Sequence, residues 1–247
     1  MVTEHDESIP EMARIIAQCE RLVVLTGAGM SRDSGVPDFR SPEGWWRQIN
    51  PAQVATVEAF NERYSLFHEF YSYRIKQLEN VRPHEGHRVL SKWEREGKLV
   101  LIATQNVDRL HQLAGNQKVC ELHGTILEYH CARCHQPAER EAFLQKQACS
   151  CGGRLRPNVV LFGERLPEEA WEKALSAIES ADAVLVIGTS LQVAPVNQLP
   201  FLTRGKLLLI NRDLTGEEAR FDCVVQGGAR DCLQAIDRLL TKKGGSS

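Results

Sequence analysis

Five short segments rich in glycine and polar side chains each come directly after an apolar run of the sequence. Glycine amides can approach a phosphate closely, and Asn, Asp, Gln, Thr and Ser side chains can hydrogen-bond to sugar hydroxyls. These residue types together indicate a nucleotide site. The segments are Gly27-Ala28-Gly29, Gln105-Asn106-Val107-Asp108, Glu121-Leu122-His123-Gly124, Gly188-Thr189-Ser190 and Asn211-Arg212-Asp213.

The first segment departs from the common dinucleotide-binding fingerprint, because the next glycine after Gly29 comes only at Gly35. A lone G-x-G after a strand is weak evidence for a nucleotide, so the support comes from the other four segments. The stretch TGAGMSRDSGVPDFR, residues 26–40, also ends in an acidic, an aromatic and a basic residue. Taken without the surrounding motif, that D-F-R triplet is typical of an ordinary loop with one anchoring aromatic ring.

The eight cysteines fall into two groups. Four lie singly in apolar contexts typical of small buried side chains: Cys19, Cys120, Cys223 and Cys232. The others form two close pairs separated by fourteen residues, Cys131 with Cys134 and Cys149 with Cys151. Four thiolates on two tight turns fit a tetrahedral structural Zn²⁺ that has no open position for catalysis. The second pair is C-x-C, which leaves His135 as an alternative ligand, and a disulfide or unpaired thiols are the competing interpretation.

The elements that must position these residues alternate between strands and helices. Such alternation predicts an α/β fold with a doubly wound parallel sheet, whose ligands bind at the carboxyl ends of the strands. Ser8 and Glu11 have the spacing of a capping box at the start of the first helix. The predicted strands are 22–25, 99–103, 183–187, 206–210 and a short one near Cys223, and the predicted helices are 8–20, 85–96, one from Pro167 and one from Ala229.

Two stretches interrupt the alternation and predict a second, smaller lobe. Residues 42–83 have an aromatic-rich helical interior, and residues 127–158 carry the clustered cysteines with little apolar periodicity. We expect a helical insertion and a zinc-binding module there, beside a Rossmann-like domain. That domain would consist of residues 1–41, 84–126 and 159–247, and a cleft between the lobes would run along the carboxyl ends of the strands.

Composition narrows the functional classes. The chain has 247 residues, and a hydrophobic content of 43% can supply a sizeable core. A net charge of −2 gives no electrostatic basis for general nucleic-acid binding, so we expect no direct nucleic-acid partner, and any basic patch must be local. No apolar run is long enough to cross a membrane, and the acidic start of the chain is unlike a signal peptide. We therefore expect a cytoplasmic protein with no membrane partner.

The motifs resemble those of the sirtuins, the NAD-dependent protein lysine deacylases. GAGMSRDSGVPDFR, TQNVD, LHG, the two cysteine pairs, VVLFGE at 159–164 and GTSLQVAP at 188–195 occur in that family's order and spacing. The resemblance extends from the glycine turn to about Ala229. It implies that NAD is the co-substrate, that acylated lysine side chains of proteins are the substrates, and that a structural zinc is present. The implied products are nicotinamide, O-acyl-ADP-ribose and free lysine.

The resemblance also implies roles for single residues. His123 in L-H-G matches the neutral imidazole that takes a proton from a ribose hydroxyl, and Asn106 is the second catalytic residue. Asp38, Phe39 and Arg40 match a mobile loop that closes over the cofactor and excludes water. The other implied NAD contacts are Gly27, Ala28, Gly29, Gln105, Val107, Asp108, Gly188, Thr189, Ser190, Asn211, Arg212, Asp213 and Ala229. Strand-end capping is the competing interpretation for Asn106 and Asp108.

The acyl-lysine would meet a third set of residues. Val159, Val160 and Phe162 match the strand edge that receives the substrate peptide as an added strand, although an ordinary hydrophobic strand fits the same pattern. Tyr71 and Arg74 lie three apart on one predicted helical face, and a phenol with a guanidinium makes a good carboxylate receptor.

The spacing of that pair resembles the sirtuin branch that removes succinyl and malonyl groups. In that branch a Y-x-x-R binds the acyl carboxylate, and an alanine sixteen residues before the tyrosine, here Ala55, widens the pocket. We therefore expect removal of acetyl groups and also of succinyl and malonyl groups. An exposed helical surface is the competing interpretation for Tyr71 and Arg74.

Alternatives and departures stay open at this point. The same NAD chemistry could be diverted to ADP-ribosyl transfer or NAD hydrolysis, or the fold could sense NAD without turnover. Arg32 stands where many sirtuins carry alanine, and the sequence leaves its role undetermined. His111 and His130 are expected to be partly exposed and without a function.

Overall fold

The computed structural model describes residues 5–39, 47 and 49–244 of the chain. Within these ranges, the strands in chain order are β1 (Leu22–Thr26), β2 (Leu99–Thr104), β3 (Val119–Glu121), β4 (Gly124–Cys131), β5 (Pro137–Ala138), β6 (Leu155–Val159), β7 (Ala183–Ile187), β8 (Lys206–Asn211) and β9 (Cys223–Gln226). The α-helices of the same ranges are α1 (His5–Gln18), α2 (Val57–Glu62), α3 (Tyr64–Leu78), α4 (Glu85–Arg95), α5 (Leu110–Leu113), α6 (Arg140–Leu144), α7 (Glu168–Glu179) and α8 (Ala229–Gly244).

The main sheet is parallel throughout and has the strand order β3-β2-β1-β7-β8-β9. The order reverses its direction between β1 and β7, which makes the carboxyl ends of these two strands the expected place for a ligand. The predicted doubly wound sheet is therefore confirmed. The strands predicted at 22–25, 99–103, 183–187 and 206–210 are all present and end within one residue of their predicted ends.

Helices cover both faces of the main sheet, because its strands alternate buried apolar side chains toward both sides. Leu22 and Val24 of β1 face one core, which includes apolar residues of α1, α4 and α8. Val23 and Leu25 face the other core, which includes residues of α7 and of the 3₁₀ segment Val196–Leu202. The strands are thus held rigidly from both sides, and their carboxyl ends form a fixed edge.

The first helix departs from the prediction at its start. It begins at His5, so Ser8 lies inside the helix and cannot cap it. The Glu11 carboxylate accepts hydrogen bonds from the Arg14 guanidinium at 2.6 and 2.8 Å instead of reaching back. The predicted capping box is therefore wrong, because Glu11 pairs with Arg14 one turn further along the helix instead of with the backbone at the helix start.

A second, smaller layer packs around its own core. Its antiparallel sheet has the order β5-β4-β6, and α2, α3 and α6 pack against it through an aromatic cluster that includes Phe60, Phe67 and Phe143. This separate core agrees with a two-lobe organisation, while the predicted boundaries themselves stay a prediction. Because β4 begins at Gly124, directly after His123, the chain passes from the main sheet to the small one at that histidine.

Within the described ranges, no helix is both long enough and apolar enough to cross a membrane.

Candidate active site

A cavity of about 510 Å³ lies at the carboxyl ends of β1, β2, β7 and β8, where the small lobe faces the main sheet. It brings together all the predicted cofactor and substrate residues except Arg40, which lies outside the described residues. Its lining includes His123, Gly27, Ala28, Gly29, Asp38, Phe39, Gln105, Asn106, Val107, Asp108, Gly188, Thr189, Ser190, Asn211, Arg212, Asp213, Ala229, Ala55, Tyr71, Arg74, Val159, Val160 and Phe162.

The glycine turn after β1 packs backbone to backbone against the end of β7. It forms a short 3₁₀ helix, Ala28–Ser34, and the Gly29 amide donates to the Gly188 carbonyl at 2.8 Å. Gly188 has a φ of 63°, and a Cβ there would lie 2.3 Å from the Met30 nitrogen. Only glycine allows this approach, which lines the cavity with backbone and small residues. Such a cradle fits the pyrophosphate of a dinucleotide.

Asn106 and Asp108 are held in place by a serine that the sequence analysis did not single out. The Ser31 hydroxyl donates to Asp108 Oδ2 at 2.7 Å and accepts from Asn106 Nδ2 at 3.1 Å. Burial raises the pKa of Asp108, and hydrogen bonds from the Leu110 amide and from Ser31 oppose that rise. The network fixes both side chains at the cavity wall. Its only signal in the sequence is the position of Ser31 inside the glycine motif.

His123 lies where the main sheet and the small lobe meet. Its carbonyl accepts a hydrogen bond from the Val160 amide at 3.0 Å, which fixes the backbone. Burial lowers the pKa of the His123 imidazole, and a hydrogen bond to the Gln105 backbone opposes this. A lowered pKa keeps the ring neutral at pH 7, which is the protonation state that a general base needs.

Tyr71 and Arg74 of α3 form the wall that faces the cofactor residues. Tyr71 is only 3% exposed, so the alternative of an exposed helical surface fails for it. The Arg74 guanidinium lies 5.1 Å from the centre of the Phe39 ring and 5.6 Å from that of Phe70. The ion pairs found in the described part of the chain do not include Arg74, and burial lowers its pKa. Gln77, one turn further along α3, also lines the cavity and was missed.

The predicted peptide-binding edge is shorter than expected. Strand β6 ends at Val159, and the next residues form a loop in which the Val160 amide donates to His123 and the Phe162 amide to Ala55. The loop is pinned by Glu164, which accepts from Arg156 Nη1 at 2.5 Å and from the Leu161 amide at 2.8 Å. Part of this backbone is thus already used within the chain, and the Phe162 side chain is about half exposed.

The four clustered cysteines converge as predicted. All four sulfur atoms lie within 4.8 Å of one another, with Sγ–Sγ distances of 3.5 Å for Cys131 with Cys151 and 3.6 Å for Cys134 with Cys149. Zn–S bonds of about 2.3 Å in a tetrahedron place sulfurs about 3.8 Å apart, so the geometry fits zinc. A Cβ at Gly153 would lie 2.5 Å from the Cys131 sulfur. His135 is exposed and is not part of the cluster.

His111 differs from its predicted exposure, and the structure gives Arg32 a location that the sequence left open. His111 is 1% exposed rather than partly exposed, because its Nε2 hydrogen-bonds to Thr26 Oγ1 at 3.0 Å beneath the end of β1. Arg32 lines the cavity rim and forms ion pairs with Asp38 at 3.3 Å and Asp213 at 3.6 Å. It therefore ties the loop that carries Phe39 to the end of β8.

Known proteins that resemble this chain over most of its length all belong to one family. The sequence model of the Sir2 family matches residues 27–195. NAD-dependent protein deacetylase 1 of Geobacillus kaustophilus is 48% identical over 85% of this chain and 89% of its own length. NAD-dependent protein deacylase of Thermococcus sibiricus is 39% identical over 92% and 94%. A crystal structure of a Sir2 homolog–NAD complex superposes with a TM-score of 0.87 at 34% identity, covering 95% of this chain and 94% of that one.

Proposed function

Because the chain belongs to the Sir2 family of NAD-dependent protein deacetylases and deacylases, we propose that it removes succinyl and malonyl groups from lysine side chains as well as acetyl groups. The observation that carries this proposal is the Arg74 guanidinium beside Tyr71 in the cavity wall. NAD is the co-substrate, and it supplies the ADP-ribosyl group that accepts the acyl group. The acylated lysines belong to protein substrates.

Different residues along the cavity have different proposed roles. We assign cofactor binding to the backbone cradle around Gly29 and Gly188 and to Asn106, which Ser31 orients. His123 is the general base that accepts a ribose hydroxyl proton, because its lowered pKa keeps the imidazole neutral. The Phe39 ring excludes water from the reacting carbon.

A carboxylate on the acyl group would meet Arg74. A half-buried guanidinium with no ion-pair partner among the described residues is costly, and a ligand carboxylate would reduce that cost. Tyr71 adds a hydroxyl donor, and the small side chain of Ala55 leaves space in the same wall. An acetyl group offers no negative charge, so it gains nothing from the pair.

The test compares acetyl-, succinyl- and malonyl-lysine on one peptide sequence, for the native protein and for Arg74→Met. We expect kcat/KM for the two acidic acyl groups to fall about 10- to 100-fold, as for the loss of one charged hydrogen-bonded pair. Acetyl turnover should change by less than about threefold. Lys76→Met, an exposed position on the same helix, is the matched control and should leave all three rates unchanged.

Three results would contradict the proposal. If acetyl turnover is fastest and Arg74→Met affects all three substrates equally, the pair does not select acidic groups. If nicotinamide release needs no acyl-lysine peptide, the NAD chemistry serves hydrolysis or ADP-ribosyl transfer. If no peptide is turned over and NAD still binds, the fold senses NAD without catalysis.

We also propose a cytoplasmic location and the lobe boundaries given by the sequence. None of the eight cysteines forms a disulfide, as expected in a reducing compartment, and cell fractionation tests the location. The separate core of the small lobe supports boundaries at 42–83 and 127–158. Limited proteolysis should cut first near these boundaries if they are correct.

A further inference from the structure

A second cavity, of about 420 Å³, lies beside the start of α4. The segment before α4 separates the two cavities, since Val81 lines the active cavity and Arg82 lines the second one. Its lining consists of Arg82, Pro83, Arg88, Arg95, Leu113 and Ala114. Three of these six residues are arginines and none is acidic. We call this surface the arginine groove.

The arginines of the groove are only partly neutralised. The Arg82 guanidinium donates to the backbone carbonyls of Glu79 and Val81, and Arg95 donates to the Ser91 hydroxyl at 2.7 Å. Only Arg88 has a carboxylate partner among the described residues, Glu85 at 2.7 Å. Three cations therefore share one carboxylate, on a chain whose net charge is −2. The sequence required any basic patch to be local, and the groove is such a patch.

The lining of the groove also has an apolar part. Leu113, the last residue of α5, is 62% exposed, and Ala114 and Pro83 continue the apolar surface beside it. A ligand that carries only phosphates would leave this leucine uncovered. A polypeptide can place an apolar side chain on it and carboxylates on either side.

We propose that the arginine groove binds an acidic segment of a protein partner with the pattern Glu-x-x-Glu and an apolar residue between the two carboxylates. Arg88 and Arg95 lie seven residues apart on α4, which is about 10.5 Å along the helix axis. Side chains three residues apart on an extended polyproline II segment point the same way and lie about 9.3 Å apart. The two carboxylates can therefore meet the two guanidiniums, and arginine holds a carboxylate in bidentate geometry.

The groove is a site of recognition, separate from the acyl pocket and independent of which acyl group the enzyme removes. None of its six lining residues lines the active cavity. Binding there would hold a partner close to the enzyme without occupying the cavity. The proposal on acyl preference and the proposal on the arginine groove can therefore be tested independently of each other.

The test measures fluorescence anisotropy of a labelled, lysine-free peptide of Glu-Leu-Ala-Glu repeats titrated with the full chain. We expect saturable binding that Arg88→Gln combined with Arg95→Gln weakens about tenfold or more, as for two charge-assisted pairs. Leu113→Asp should weaken it similarly, because it adds a negative charge to the apolar surface. Arg14→Gln, an exposed and paired arginine on α1, is the matched control and should change the affinity less than about twofold.

A second measurement shows whether a variant that loses peptide binding is still folded. NAD-dependent deacetylation of a short, uncharged acetyl-lysine peptide should stay within about twofold of the native rate in every groove variant, since no active-cavity residue is changed. A variant that keeps this activity and loses the acidic peptide supports the groove.

Several results would overturn the proposal. Equal binding of a Gln-Leu-Ala-Gln peptide would show that the carboxylates are not recognised. Unchanged binding in the double arginine variant would place the site elsewhere. Displacement by inorganic phosphate at the concentration of the peptide would indicate a small-anion site. Competition by a DNA oligonucleotide that shows the same loss in the variants would indicate a nucleic-acid surface.

Discussion

The two halves of the active cavity are built in different ways. The half assigned to the cofactor consists mainly of backbone at the carboxyl ends of parallel strands, held by contacts such as the one between Gly29 and Gly188. The half assigned to the acyl group consists of side chains from the small lobe, notably Tyr71 and Arg74. A backbone cradle has little freedom to vary, whereas side chains on a helix can be exchanged one by one. The backbone half therefore suits a co-substrate that stays the same, and the side-chain half suits a preference for acyl groups that can change by single substitutions.

The acyl half also depends on a more distant element. Tyr71 packs on Phe67 with ring centres 4.5 Å apart and on Phe70 at 5.2 Å, and the same core includes Cys131. The cysteine cluster therefore shares a core with the wall that carries the residues proposed to bind the acyl group, and a bound metal would support that wall. The cofactor half rests on the two cores of the main sheet, which include no clustered cysteine.

Replacing His123 tests the point where the two halves meet. His123→Ala should lower kcat/KM for deacylation about 10²- to 10⁴-fold, because the general base is removed. The affinity for NAD, measured by calorimetry, should change little, since the backbone cradle remains. His130→Ala, in the half-buried position of β4, is the matched control and should keep its turnover. Near-normal turnover of His123→Ala would remove the assigned base.

Replacing a metal ligand should break the acyl half and spare the other. In Cys131→Ser the zinc content should fall from about one ion per chain to nearly none, and the small lobe should unfold with loss of deacylation. NAD binding should persist in weakened form. Cys120→Ala removes a buried cysteine of the main core and should keep its zinc. Unchanged zinc content in Cys131→Ser would contradict the four-cysteine site.

Replacing Gly188 should break the cofactor half instead. The added Cβ would clash with the Met30 nitrogen, and φ is positive, so Gly188→Ala should lower the free energy of unfolding by about 3–4 kcal/mol and weaken NAD binding. Zinc content should stay unchanged. Gly216→Ala is the control: its φ is 86° and the space around it is open. It should lower the free energy of unfolding, measured in urea, by only about 1–2 kcal/mol. Equal losses in both variants would show that the close approach does not matter.

The contrast between the halves also explains what the sequence could predict. Glycine turns and polar residues after apolar runs are local patterns, so the edge of the main sheet followed from them almost residue by residue. Ser31 was missed because its role depends on Asp108, seventy-seven residues away along the chain. His111 was misjudged for the same reason: only the fold places Thr26 against it.

Less of the acyl half could be predicted from local spacing in the sequence. The three-residue spacing of Tyr71 and Arg74 predicts a shared helical face but not what that face packs against. The resemblance supplied that step, and the structure supplied the Phe39 ring beside Arg74. The length of the β6 edge could not be predicted, because the amides after Val159 bond to His123 and Ala55 on distant segments.

The smallest expected effect concerns Glu164, which pins the loop of the acyl half. Burial alone would raise the pKa of Glu164, but its hydrogen bonds with Arg156 and the Leu161 amide lower it below the ordinary 4.5. A lowered pKa in the folded state means that the ionised pair stabilises the protein fully above about pH 4.5, and that this stability is lost as the pH falls through the folded pKa. Glu164→Gln should therefore reduce the free energy of unfolding by about 1–2 kcal/mol at pH 7.

That loss should shrink as the pH falls below 4.5 and through the lowered folded pKa of Glu164, where the native carboxyl also becomes protonated. Asp222, paired with Lys206 at the edge of the main sheet, is the matched control. Burial also opposes the lowered pKa of Asp222, but Lys206 is 59% exposed, so Asp222→Asn should cost less than about 1 kcal/mol and the loss should fade in salt. A pH-independent loss in Glu164→Gln would show that the loop is held by shape rather than by charge, as the cofactor half is.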